Sequence, residues 1–142
     1  MTARKFEEFL NDNTIKKQSI DKSRANFLIK EAENSYKFLL RMINMKVSDS
    51  NANIFVKTCY DILMEIIRAK MLMRGYNASG TGAHEAEVSY LRLIGFSEND
   101  VQFADQMRFF RNGILYYGTI LDREYAEKAI EFTKRIYLEL RK

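Results

Sequence analysis

The sequence predicts an all-α, up-and-down bundle of about five helices, built as one domain over residues 1–142 and dimerising. Three observations carry this. There is no proline in 142 residues, so nothing chemically forbids long helices. Apolar residues recur at spacings of three and four in segment after segment. Breaks fall at glycine and at clusters of Ser, Asn and Asp rather than at alternating β-type runs. The length suits one domain that buries a core without disulfides or a metal staple.

A first short helix is expected over about Ala3 to Leu10, with Phe6, Phe9 and Leu10 on one side, closed by Asn11 to Thr14. A second runs from about Ser19 to Met45, with Leu28, Ala32, Tyr36, Leu39 and Ile43 as its stripe. Ser48 to Asn51 is rich in N-cap residues and breaks the chain. The third helix, about Asn51 to Arg74, is apolar over most of its circumference, with a narrow polar line of Lys57, Asp61, Glu65 and Arg68. Such a helix belongs at the centre of a bundle or in an interface. Gly75 to His84 holds three glycines and reads as a mobile loop, with no sheet anywhere.

A fourth helix covers about Ala83 to Ile94, with Val88, Leu91 and Ile94 inward and Gly95 as its end. Ser97 then has an acid, Asp100, three residues on, and Phe96 and Val101 are spaced to staple it. The fifth helix follows and ends near Tyr117, with Gly118 as C-cap. Phe103, Met107, Phe110, Ile114 and Tyr117 are expected to face the core. Val101, Ala104, Arg108, Asn112 and Leu115 fall on the other side, a mixed face that suits an interface or a site. The last helix starts near Asp122 and buries Ala126, Ala129, Ile130, Thr133, Ile136, Tyr137 and Leu140. The short link at Gly118 to Asp122 makes it antiparallel to the fifth.

Composition narrows the function. Charged residues are 30% and the formal net charge is +4, compatible with an acidic partner such as RNA without requiring one. The single cysteine, Cys59, allows no internal disulfide and reads as a core thiol. One Cys and one His, His84, build neither a zinc site nor a di-iron bundle. No phosphate-binding glycine loop and no dinucleotide fingerprint is present, so no metal and no cofactor is expected. No stretch approaches the ~20 apolar residues of a membrane span, and the N-terminus lacks the apolar run of a signal peptide. The expected location is cytoplasmic.

What remains is the run Arg108, Phe109, Phe110, Arg111, Asn112, Gly113, Ile114, Leu115, Tyr116, Tyr117, Gly118. It resembles the signature helix of the HEPN family, whose motif is Arg, four to six residues, then His, often with Asn straight after the Arg. Arg111 and Asn112 match its first half, and Tyr116 stands where nuclease members carry His. The layout from Tyr60 to Arg74, and the loop to His84, is similar to the family's central helix and the loop after it. The resemblance implies a homodimer, RNA or nucleotide as ligand, and metal-independent ribonuclease chemistry. It also implies a minimal nucleotidyltransferase as partner protein in a toxin–antitoxin pair, with Tyr116 or Tyr117 as the residue that partner modifies. Arg111 would hold phosphate, Asn112 would orient neighbours, and Glu65 would orient Arg111, with Arg108, Tyr117 and His84 as further RNA contacts.

Tyr116 weakens the catalytic reading. Phenol titrates near ~10 and imidazole near ~6.5, so tyrosine is a poor base at neutral pH, and acid–base help is worth roughly 10² to 10⁴ in rate. Weak or lost activity is expected. Five residues along a helix is a rotation of about 140°, so Arg111 and Tyr116 share a face only if the helix distorts, for which Gly113 is placed. Two copies meeting across an axis would bring both Arg–Asn pairs into one cleft. The plainer reading keeps Arg111 in an ion pair, Asn112 as a half-buried amide at a seam, Arg108 as a solvated or interface arginine and Tyr117 in the core. His84 then pins its helix start, and Glu65 and Asp61 are surface ion-pair partners. On that reading the chain is a non-catalytic helical dimerisation module.

Overall fold

The most apolar segment of the chain, Ala52–Met73, forms helix α3 and runs through the middle of the molecule, buried from Ala52 to Leu72 on both sides of its polar line. In this computed structural model, which describes residues 3–142, five other helices surround it: α1 (Phe6–Asn11), α2 (Lys22–Met42), α4 (Ala83–Leu93), α5 (Glu98–Tyr117) and α6 (Arg123–Leu140). The helical bundle is as expected, with one more helix than the round figure of five.

Helices α2 and α3 run antiparallel, as do α5 and α6, and side-chain pairs give the direction. Ala25 and Leu28 of α2 meet Ala69 and Leu72 at the far end of α3. Tyr36 of α2 stacks on Tyr137 of α6 at 3.8 Å between centroids. Along α5 and α6, Asp100 meets Arg135, Phe103 meets Phe132, and Phe110 meets Tyr125, so one index rises as the other falls. Rings rather than small residues fill the space between these two helices.

The helix ends follow side-chain chemistry. Ser97 accepts a hydrogen bond from the Asp100 N–H at 3.2 Å, and Asp122 does the same for Tyr125 at 2.8 Å. The reciprocal half of the expected capping box is absent because the Asp100 carboxylate is held by Arg135 at 2.7 and 3.1 Å. Asn51 caps nothing with its side chain. It braces the turn before α3 instead, accepting from Ser48 N–H and donating to the Lys46 carbonyl.

The expectation of no sheet is corrected. Ile15–Lys17 (β1) and Tyr76–Ala78 (β2) pair antiparallel, with Ile15 opposite Ala78 and Lys17 opposite Tyr76. The segment read as a mobile loop is therefore partly a strand. The ribbon holds because Ile15 is buried and the Tyr76 ring packs edge-on against Phe6 at 5.1 Å. Three residues per strand are too few for alternation to show in sequence.

Helix α5 also departs from expectation. Val101 and Ala104, assigned to the mixed face, are buried together with Met107. Tyr117, assigned to the core, is 85% exposed. Seven-residue steps along a helix drift only about 20°, so Val101, Arg108 and Leu115 lie nearly on one line. That line is core in the first half of α5 and open in the second. The reason is length: α5 continues past α4, which covers only its first half. The end of α5 is nevertheless anchored. Asn53 of α3 donates to the Thr119 carbonyl at 3.0 Å and accepts from the Leu121 N–H at 2.8 Å.

Candidate functional site

The open half of α5 lies alongside the first half of α3, and the polar groups of the two helices meet there. Arg111 donates from Nε to Asp61 at 3.2 Å, and its guanidinium sits 5.5 Å from the Tyr60 ring centroid. The carboxylate that meets Arg111 is thus Asp61, not Glu65 as expected. Asp61 lies one turn nearer the start of α3. Glu65 is half-buried. Burial raises its pKa, the charges of Glu31 and Asp61 add to this, and Arg68 offsets part of it.

Arg108 is tied down differently. Its Nε donates to Asp105 at 2.7 Å, one turn back on α5, and the Asp105 side chain is only 4% exposed. The two arginines therefore differ in availability. Releasing Arg108 would strand a buried carboxylate, which is costly. The Asp61 side chain is 55% exposed, and ion pairs of that kind contribute about 0–1 kcal/mol. The Arg111–Asp61 pair can therefore separate at little cost.

Beneath these arginines lies a buried network that connects α3 to α4. Glu87, 2% exposed, receives two hydrogen bonds from Arg68, at 2.6 and 3.0 Å. His84 Nδ1 lies 3.2 Å from the same carboxylate, so His84 does pin the start of its helix. Burial alone would raise the Glu87 carboxyl, but the hydrogen bonds from His84 and Arg68 and the Arg68 charge outweigh it and leave the pKa below its ordinary value. Tyr60 stands next to this network with its hydroxyl buried and without a hydrogen-bond partner. Burial and the Glu87 charge raise its pKa against the pull of Arg108, Arg111 and Arg68, so the phenol stays protonated at neutral pH.

The remaining candidates sit further along α5. Asn112 is half-buried and its side-chain amide makes no hydrogen bond among the described residues. Tyr116 is 72% exposed. Helix α5 is continuous through Gly113, so the helix does not break at the one place where a distortion could bring Arg111 and Tyr116 to one face. Gly113 serves instead as the floor under Thr119, whose N–H donates to the Gly113 carbonyl at 3.1 Å. A Cβ at position 113 would fall 2.4 Å from Thr119 Oγ1. Leu115, Tyr116, Tyr117 and Ile120 make an exposed apolar tip where α5 turns through Gly118.

Sequence reasoning missed the Arg68–Glu87 pair. The two residues are 19 apart on different helices, and only the apolar neighbours Ala86 and Val88 hinted that Glu87 is buried. Among the described residues no group of His, Cys, Asp and Glu is arranged to hold a metal ion, and no helix is long and apolar enough to cross a membrane. Comparisons of the chain with protein-family models, with curated proteins and with solved structures found no match.

Proposed function

We propose that the protein is a HEPN-like RNA- or nucleotide-binding protein with weak or no ribonuclease activity, acting as a homodimer through the open half of α5. The observation that carries the reading is the change of face along α5. The line that is core at Val101 and Ala104 becomes a more open strip of half-buried Arg111 and Asn112 and exposed Leu115, with an arginine that a phosphate can release from Asp61. An arginine fork over an aromatic ring suits phosphate and base recognition. Pairing with a minimal nucleotidyltransferase belongs to the same reading, with exposed Tyr116 or Tyr117 as the residue to be modified.

The catalytic part of the reading is weak on chemical grounds. The one histidine, His84, is engaged with Glu87 on α4, and position 116 carries a phenol where the motif has an imidazole. Incubating RNA with wild type and with Tyr116→His, in the presence of a chelator, tests this. Wild type is expected to cleave at background rate, and Tyr116→His is expected to raise cleavage by restoring a group that titrates near neutrality. No gain would mean that the cleft lacks more than one proton-transfer group and would favour a non-catalytic role.

The exposed apolar tip favours the second reading, a helical dimerisation or interaction module without RNA. Both readings place the seam at Leu115. Leu115→Asp puts an unpaired charge there and is expected to shift sedimentation equilibrium toward monomer by at least about tenfold in Kd. The fold should be unchanged, since Leu115 is 46% exposed within one protomer. A wild-type protein that is monomeric at micromolar concentration would remove the dimer from both readings.

A further inference from the structure

On the side of α3 opposite to Asp61, the molecule carries a second concentration of positive charge that the α5 reading does not use. Lys70 is nine residues beyond Asp61, a rotation of about 180°. It lines a cavity of about 320 Å³ between the α4–α5 turn and the end of α6, together with Ile94, Phe96, Asp100, Arg135 and Leu140. It also lines an adjoining cavity of about 210 Å³ with Met73, Arg74 and Tyr90. Ile94 is shared, so the two spaces meet at Lys70.

The charges around Lys70 are not balanced. Arg135 is paired with Asp100, Arg141 with Glu33, and Lys142 with Glu139. Lys70 and Arg74 have neither an ion pair nor a side-chain hydrogen bond among the described residues. Burial lowers the pKa of the Lys70 ammonium, and the charges of Arg141 and Arg74 push the same way. A half-buried cation facing other cations is destabilising unless something neutralises it. The walls are mixed: Ile94, Phe96 and Leu140 are apolar and stand beside Lys70, Asp100, Arg135 and Glu139, the usual character of a small-molecule site.

We infer that Lys70 and Arg74, with Arg135 at the rim, bind a small phosphate monoester whose apolar body lies against Ile94, Phe96 and Leu140. Two cations without partners match a dianion better than a single carboxylate. Asp100 and Glu139 line the same space, but each is already occupied by its own cation, so they do not repel the ligand at full strength. The site is independent of Arg111 and stands whether or not α5 binds RNA.

The test uses inorganic phosphate and phenyl phosphate as probes, followed by amide chemical shifts and by melting temperature. Phenyl phosphate should shift the amides of Lys70 to Arg74 and Gly95 to Ser97 saturably, and bind more tightly than inorganic phosphate. It should raise the melting temperature of wild type as a ligand of the folded state. Lys70→Gln should weaken binding by about 10- to 100-fold, the range of one charged hydrogen bond. The same variant without ligand should melt at or above the wild-type temperature, because an unneutralised cation has been removed. Shifts at Lys70 to Arg74 and Gly95 to Ser97 separate this site from any phosphate held at Arg111, which reports on other amides. No saturable shift at millimolar probe, equal binding by Lys70→Gln, or a ligand-free Lys70→Gln that melts well below wild type would each overturn the proposal.

Discussion

Arg68→Ala should lower the stability of the fold by about 3–5 kcal/mol, the cost of removing one partner from a buried ion pair. The Arg68 side chain is 25% exposed and that of Glu87 is 3% exposed, so the carboxylate left behind has almost no access to water. His84 alone would then hold it. The pH dependence gives the mechanism a signature. In wild type the Glu87 pKa lies below its ordinary value of 4.5. Its contribution is therefore fully present above that value and is lost as pH falls through the folded pKa. In Arg68→Ala burial is opposed less, and the folded pKa rises. The sign reverses for a raised carboxyl: the variant recovers relative to wild type as pH falls and suffers most near neutrality. Urea unfolding at pH 4 and pH 7 checks both. The double variant Arg68→Leu with Glu87→Leu should recover most of the loss, since a well-packed apolar pair often matches a buried ion pair. An equal loss at both pH values would mean that Arg68 acts by packing and not by charge.

The second large effect is at the ribbon. Gly75 has φ of +78° and accepts from the Gln18 N–H at 2.7 Å, which closes the ribbon next to Lys17 and Tyr76. A Cβ there would meet the Gln18 carbonyl oxygen at 2.6 Å. This contact is with backbone, so no rotamer relieves it. Gly75→Ala combines left-handed strain of about 1–2 kcal/mol with a clash of about 1–3 kcal/mol, and a loss of about 2–5 kcal/mol is expected. Hydrogen exchange should rise first at Ile15–Lys17 and Tyr76–Ala78. Gly118→Ala is the natural comparison: φ is +70° and nothing lies within 4 Å of a Cβ, so only the strain term applies. Equal losses in the two variants would show that the Gln18 contact is relieved elsewhere.

Much of the architecture was legible because it is local. The stripes of α2 and α6 rest on spacing alone, and Leu28, Ala32, Tyr36 and Leu39 are buried as that spacing requires. Ser97 and Gly118 bound α5 through cap chemistry that three or four residues decide. What was not legible depends on distant partners. Tyr117 continues the apolar period of α5, yet the helix outruns the bundle, and periodicity does not report where a neighbour ends. The ribbon unites residues about sixty positions apart in strands too short to show a pattern. At the site, Arg111 and Asn112 stood out by sequence, but the identity of the carboxylate facing Arg111 depends on how α3 and α5 cross. Asp61 and Glu65 sit one turn apart on the same polar line, and spacing does not choose between them.

On the proposed function, Arg111 is a phosphate contact held lightly by Asp61. The most direct measurement is fluorescence anisotropy of labelled single-stranded RNA, titrated with wild type and with Arg111→Ala across a range of salt concentrations. Wild type should bind, with affinity falling as salt rises because phosphate contacts release counterions. Arg111→Ala should bind at least about tenfold more weakly, with a shallower salt slope and an unchanged circular dichroism spectrum. Equal affinity and equal slope for the two proteins would contradict the claim and leave Arg111 as a structural partner of Asp61 and Tyr60.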